Sequence, residues 1–323
     1  MTASPAPGGA LRAATAMAVL GCSTGVTAAF SRYPLFGGQA VRYLLAAVIL
    51  LPIAARSRSG SLPGHRGPRL STGELWRLTA LAGTGLFGFN VLMVQALRHS
   101  DPATVGSVVG CAPLVLAVLA PMLERRRPRL RLVAAAGVVV VGAAITQGFS
   151  TGGPVGFLYA LGTLGCEAAF SLLAVPLLPR LGPVRVSAYA TVLAVPMFAL
   201  AGLLVDGTAL LRRPTEAELA ALLYLAVLLT CVAFLLWYAA LSRLGAERAG
   251  LFAGLIPVTA ALSGALLGTG ALHAGELSGA VLVGLGVCLG LSLPQRHAEP
   301  TRHTDPMHHA DLTDNQDASL VAQ

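Results

Sequence analysis

The sequence predicts an all-α integral membrane protein with ten transmembrane helices, arranged as two inverted five-helix repeats. Three observations lead there. Charged residues make up 11% of the 323 and hydrophobic residues 55%, with a mean hydropathy of +0.74. Soluble domains carry about 25% charged residues, so less than half the usual polar coat is present. The apolar residues gather into uncharged runs, most of them near one bilayer in length. The second half of the chain repeats features of the first at a fixed offset of 144 residues. The composition alone excludes both a soluble globular domain and a disordered chain.

Seven spans can be read directly as uncharged runs: Ala13–Phe30, Leu78–Leu97, Pro102–Leu123, Val186–Val205, Leu219–Ser242, Ala249–Gly275 and Leu277–Gln295. Leu132–Cys166 is too long for one span and breaks at the turn cluster Gln147–Pro154. That gives one helix over about 132–148 and another from near Val155. Tyr43–Ala55 is too short to cross alone, so its helix begins near Gly38 and carries Arg42 one turn inside. The total is ten. No run alternates as a membrane barrel strand does.

All 22 basic residues are arginine. With ten spans, 17 of them fall on the side of the two termini and four on the other, Arg42 lying within a span. The excess predicts cytoplasmic termini. The run Arg125-Arg126-Arg127-Pro128-Arg129 reads as a positive-inside loop rather than a nucleic-acid patch. Val19-Leu20-Gly21-Cys22 resembles a cleavage site, but Leu-Gly-Cys recurs at Leu164-Gly165-Cys166, where no signal peptidase acts. The tail 294–323 has no apolar period and is predicted to be disordered. The five cysteines, Cys22, Cys111, Cys166, Cys231 and Cys288, all lie in apolar runs without metal-ligand spacing. No metal site and no cofactor is expected.

The offset of 144 aligns Pro52 with Pro196, Pro113 with Pro257, Ala96-Leu97 with Ala240-Leu241, and Gly142 with Gly286. It divides the chain at 1–149 and 150–293, five helices each. Five is odd, so the second copy enters the membrane upside down, as alternating access about a central site requires. Gly106-xxx-Gly110 and its mate Gly250-xxx-Gly254 predict close backbone approach on one face of the fourth and ninth helices. Pro113 and Pro257, three residues on, predict a mid-helix bend that is either static or a gate.

These residues resemble the drug/metabolite transporter superfamily, in its EamA-type branch of ten-helix proteins. The resemblance is carried by Arg42-Tyr43-Leu44-Leu45-Ala46, Ala96-Leu97, Ala112-Pro113-Leu114 and Leu123-Glu124. In the second copy it is carried by Trp237-Tyr238-Ala239-Ala240-Leu241 and Leu255-Ile256-Pro257-Val258. Gly268-Thr269-Gly270 departs from the pattern, standing where an acidic residue is common. The resemblance implies secondary transport in the cytoplasmic membrane, often export of amino acids or related metabolites.

Glu167 is the most informative single residue. Twelve uncharged residues flank it on each side, which places a carboxylate at the bilayer midplane. That costs ~2.5–3.5 kcal/mol on insertion scales. The carboxylate is predicted to bind a proton or a cationic substrate group, or else to be satisfied by a neighbouring helix. Ser23 is its offset mate and a second candidate for the same site. Asn90, whose mate is the apolar Phe234, predicts substrate contact or an interhelical hydrogen bond. Arg42 either steers an anionic group or snorkels to headgroups. Trp237 and Tyr238 form either an interfacial belt or a stacking surface for substrate.

The leading functional reading is therefore a secondary transporter exporting a small metabolite, coupled to protons through Glu167. The alternatives are a non-transporting membrane scaffold or sensor, and a membrane enzyme. The last lacks HExxH and an intramembrane pair of aspartates, and one buried glutamate cannot be both acid and base. A nucleotide-driven pump would need GxxxxGK followed by Ser or Thr, and the chain has no lysine.

Overall fold

The computed structural model describes residues 7–29, 33–57, 70–148, 153–266 and 273–293. All regular elements among them are helical. In order they are α1 (Pro7–Ala29), α2 (Leu35–Arg56), α3 (Thr72–His99), α4 (Pro102–Leu123), α5 (Leu130–Gln147), α6 (Pro154–Ala174), α7 (Leu178–Val205), α8 (Glu216–Leu244), α9 (Ala246–Leu266) and α10 (Ala274–Ser292). Among the described residues, α2 to α10 are nine helices long and apolar enough to cross a bilayer. The 23 residues of α1 reach about 35 Å at the helical rise. The tail and Gly268–Gly270 lie outside the described residues.

The termini have local causes. Ser71 and Glu74 form a capping box at the start of α3, and Thr215 and Glu218 form another at the start of α8, 144 residues on. In each, the hydroxyl accepts from the glutamate N–H at 3.3 Å and the carboxylate accepts from the cap N–H at 2.8 or 2.9 Å. Gly148, at φ 79, ends α5, and Pro154 opens α6, as the turn cluster predicts. In α7, Gly182 at φ 72 breaks the helix after its first turn, a conformation that glycine adopts without strain.

Besides α7, four spans are not uniform α-helix. Ala82–Gly88 in α3 and Leu225–Ala233 in α8 are π-helical, again at matching positions. The fourth span breaks at Gly110–Cys111 and the ninth runs as a 3-10 helix over Gly250–Gly254. This corrects the reading of Pro113 and Pro257. Neither bends a continuous helix from its middle. Each sits in the first turn of the segment after the break, Ala112–Leu123 or Leu255–Leu266, where a missing N–H costs little.

The helices pack in related pairs. α2 lies on α7 and α5 on α10, α1 lies on α8 and α9, and α6 lies on α3 and α4. Shifting every partner in these pairs by five helices returns the same pairs, as a two-fold relation between copies requires, whereas the α7–α8 contact has no comparable counterpart between α2 and α3. The α5–α10 seam shows it atom by atom. A Cβ on Gly142 would stand 2.8 Å from the Gly279 carbonyl oxygen and the Val283 nitrogen. A Cβ on Gly286, the mate of Gly142, would stand 2.9 Å from the Ala135 oxygen and the Val139 nitrogen. Here the backbones touch. The predicted glycine pairs behave otherwise. Gly106 faces the Gln147 side chain, Gly250 faces Leu116 and Gly254 faces Val139, while Gly110 and Gly254 fall within the helix interruptions.

Polar contacts collect at two ends. At one, Arg126 bridges Glu124 and Glu247, Arg180 meets Glu74 at 2.6 Å, and Arg185 donates to the Ser57 carbonyl at 2.8 Å. At the other, Tyr33 Oη donates to the Arg212 carbonyl at 2.8 Å, and the Arg212 guanidinium pairs with Glu218 and covers the Tyr33 ring. The hydrogen bond to Glu124 raises the pKa of Arg126, and that to Glu218 raises the pKa of Arg212. Between these ends, side chains such as Leu203, Leu204, Val281 and Leu289 are exposed. An apolar belt of this kind suits lipid rather than water.

Candidate functional site

Polar side chains are turned inward at mid-span. On α6, Glu167 is partly buried, and its Oε2 is sealed with no hydrogen-bond partner among the described residues. An unsatisfied buried carboxylate oxygen is costly. One turn on, Ser171 Oγ accepts from Trp237 Nε1 of α8 at 3.2 Å. Between them, Phe170 packs on Phe234 and Tyr238 with ring centroids 5.0 and 5.1 Å apart. Glu167 therefore stands beside an α6–α8 contact built of one hydrogen bond and three aromatic rings.

Trp237 is 4% exposed and Tyr238 0%. This overturns the interfacial-belt reading, since both lie in the bundle interior. The Tyr238 hydroxyl is also sealed without a partner among the described residues.

A second cluster lies across α2, α3 and α8. Arg42 is 6% exposed, so it does not snorkel. Starting at Leu35, α2 carries it two turns inside rather than one. Its Nε donates to Thr230 Oγ1 at 2.8 Å, its Nη1 donates to Gln39 Oε1 at 3.2 Å, and the guanidinium lies 5.1 Å from the Tyr43 ring centroid. Thr230 in turn donates to the Leu225 carbonyl at 2.9 Å, five residues back, within the π-helical turn. Tyr43 accepts from Asn90 Nδ2 at 3.3 Å and stacks on Phe198. Asn90 also donates to the Leu86 carbonyl at 2.7 Å. It thus makes the interhelical hydrogen bond that was one of its two readings.

Ser23 is buried in α1, and its Oγ donates to the Leu20 carbonyl at 2.6 Å. Gly21-Cys22-Ser23-Thr24-Gly25 matches the GxSxG pattern of hydrolase nucleophiles, but here it lies inside a continuous helix rather than a strand-to-helix elbow. Sequence reading missed Gln39, Tyr43, Ser171 and Thr230. Their only signal was a polar atom in an apolar run. Among the described residues, no three His, Cys, Asp or Glu side chains are placed to hold a metal ion.

The helical repeat, with a few polar side chains buried in an apolar core, has a counterpart among known proteins. The family model described as the EamA-like transporter family matches residues 8–147 and matches again over 154–292. The chain belongs to that family. This EamA-like chain is 26% identical over 264 residues to the uncharacterized transporter YetK of Bacillus subtilis (strain 168), covering 79% of this chain and 78% of that one. It is also 26% identical over 215 residues to the uncharacterized transporter YyaM of the same organism, covering 63% and 68%. A crystal structure of a protein 20% identical in sequence superposes with a TM-score of 0.72, over 87% of this chain and 95% of that one. That likeness is one of fold. The EamA-like chain is accordingly a multi-pass membrane protein of a transporter family, within the drug/metabolite transporter superfamily.

Proposed function

We propose that the chain is a secondary active transporter, not an enzyme, that exports a small metabolite such as an amino acid or a related compound. It works by alternating access and couples to protons through Glu167. Its halves, 1–149 and 150–293, insert in opposite senses into the cytoplasmic membrane. Both termini are cytoplasmic, in keeping with the 17-to-4 division of the arginines. Glu167 carries the reading: a mid-span carboxylate whose sealed Oε2 has no protein partner among the described residues. Such a group is positioned to take a proton, or a cationic group of the cargo, and release it to the other side. Ser23, Asn90, Arg42, Trp237 and Tyr238 are the further candidate contacts for substrate.

Purified protein in liposomes containing a pH dye tests this. Adding amino acids and related amines is expected to drive proton movement that empty liposomes lack. Substrate movement without proton movement would remove the coupling. No movement of either would favour the scaffold or sensor reading. The orientation is checked separately on a cysteine-free background. Arg125→Cys is expected to resist an impermeant maleimide added outside intact cells, and Arg212→Cys to react.

A further inference from the structure

Arg42 is buried, yet no carboxylate among the described residues lies within 4.0 Å of it. A guanidinium has five N–H groups. Nε is used on Thr230 and Nη1 on Gln39, both neutral acceptors, while Nη2 has no protein partner among the described residues. A buried cation normally has a counter-charge, because neutral acceptors do not repay its desolvation. The Thr230 hydroxyl that occupies Nε also ties the Leu225 carbonyl of the π-helical turn. Wide turns of this kind recur at functional positions. The mates of Arg42 and Thr230 in the other half are Val186 and Leu86, so the polar connection exists in one copy only.

The geometry points to Arg42 as a binding residue for an anionic group of the cargo, with Thr230 and Gln39 as the resting partners which that group displaces. The inference rests on the transport reading above and deepens it: the cargo carries a carboxylate or a comparable anion, which takes the place of the Thr230 hydroxyl and the Gln39 amide oxygen on the guanidinium. Guanidinium and carboxylate make two parallel charge-assisted hydrogen bonds, stronger than those to a hydroxyl or an amide, so the exchange favours the anion.

The test is equilibrium binding by calorimetry, to the full chain in phosphatidylcholine nanodiscs. Acetate, benzoate and glutarate are the probes, each compared with its amide. At least one anion is expected to bind saturably and its amide not to bind. Arg42→Gln is expected to abolish binding. Arg42→Lys, which keeps the charge and covers the case in which the glutamine variant does not fold, is expected to bind more weakly. Thr230→Val removes a competitor for the guanidinium and is expected to tighten binding about threefold to tenfold, a gain that a merely structural role for Thr230 would not give.

The inference is overturned if no anion binds, or if Thr230→Val weakens binding as Arg42→Gln does. It is also overturned if phosphatidylglycerol in the disc takes the site and blocks the soluble anions, which would assign it to a lipid headgroup. Anion binding is read at equilibrium with no proton gradient and no transport, and Gly137→Ala, in open space on α5, is expected to leave it intact. Failure of the proton reading therefore leaves this result standing, and failure here leaves the proton reading standing.

Discussion

Glu167→Gln is expected to cut substrate-driven proton movement about tenfold or more and to flatten its pH dependence. The sign follows from the chemistry. A carboxyl that alternates between neutral and charged must be reprotonated in each cycle, so the wild-type rate falls as rising pH leaves it ionised for longer. Glutamine is fixed in the neutral form at every pH and carries no proton. Exchange of substrate for substrate across the bilayer is therefore expected to persist, while uphill accumulation is lost. Glu167→Asp keeps the ionisable group one methylene shorter and is expected to retain partial coupling. A glutamine variant with wild-type rate and wild-type pH dependence would end the proton proposal.

The second large effect is on folding. Gly142→Val sets a branched side chain where a Cβ alone would stand 2.8 Å from the Gly279 oxygen and the Val283 nitrogen. Both are backbone atoms, so no rotamer change relieves the clash, and α5 and α10 must separate. Overpacking of this kind costs about 1–3 kcal/mol, and a backbone obstacle places it at the upper end. A lower unfolding temperature in detergent and a smaller monodisperse yield are expected. Gly137→Ala is the control on the same helix: nothing lies within 4 Å of its Cβ. Replacing a helical glycine by alanine in open space is expected to be neutral or to stabilise by up to about 1 kcal/mol. A Gly142→Val protein as stable as wild type would refute the seam.

Much of this architecture was legible before any coordinates. The spans were readable because lipid-facing residues must be apolar over a fixed length, and uncharged runs of that length are rare by chance. The boundary at Gln147–Pro154 was readable because glycine and proline act locally. The helix interruptions were not, since π and 3-10 turns depend on which neighbour a carbonyl finds. The same limit applied to the glycines: Gly106, Gly110, Gly250 and Gly254 had the familiar spacing, while the backbone contact fell to Gly142, Gly279 and Gly286, which follow no short motif. Glu167 stood out because a lone charge in an apolar run is visible in one dimension. Thr230 and Ser171 did not, since their importance comes from Arg42 and Trp237, which lie 188 and 66 residues away in sequence. Trp237 and Tyr238 allowed two readings, belt or stacking surface, because their place along α8 was clear but the direction they faced was not.

The wide turns in α3 and α8 have one more consequence. Each residue of a helix advances the side-chain azimuth by about 100°, so a surplus residue in a turn rotates everything beyond it by that angle. Asn90, Phe234 and Tyr238 all lie just past such a turn. The inward aim of these side chains is thus a matter of phase, inherited from the coil before them, and tightening either turn to regular pitch would swing them round toward the hydrocarbon.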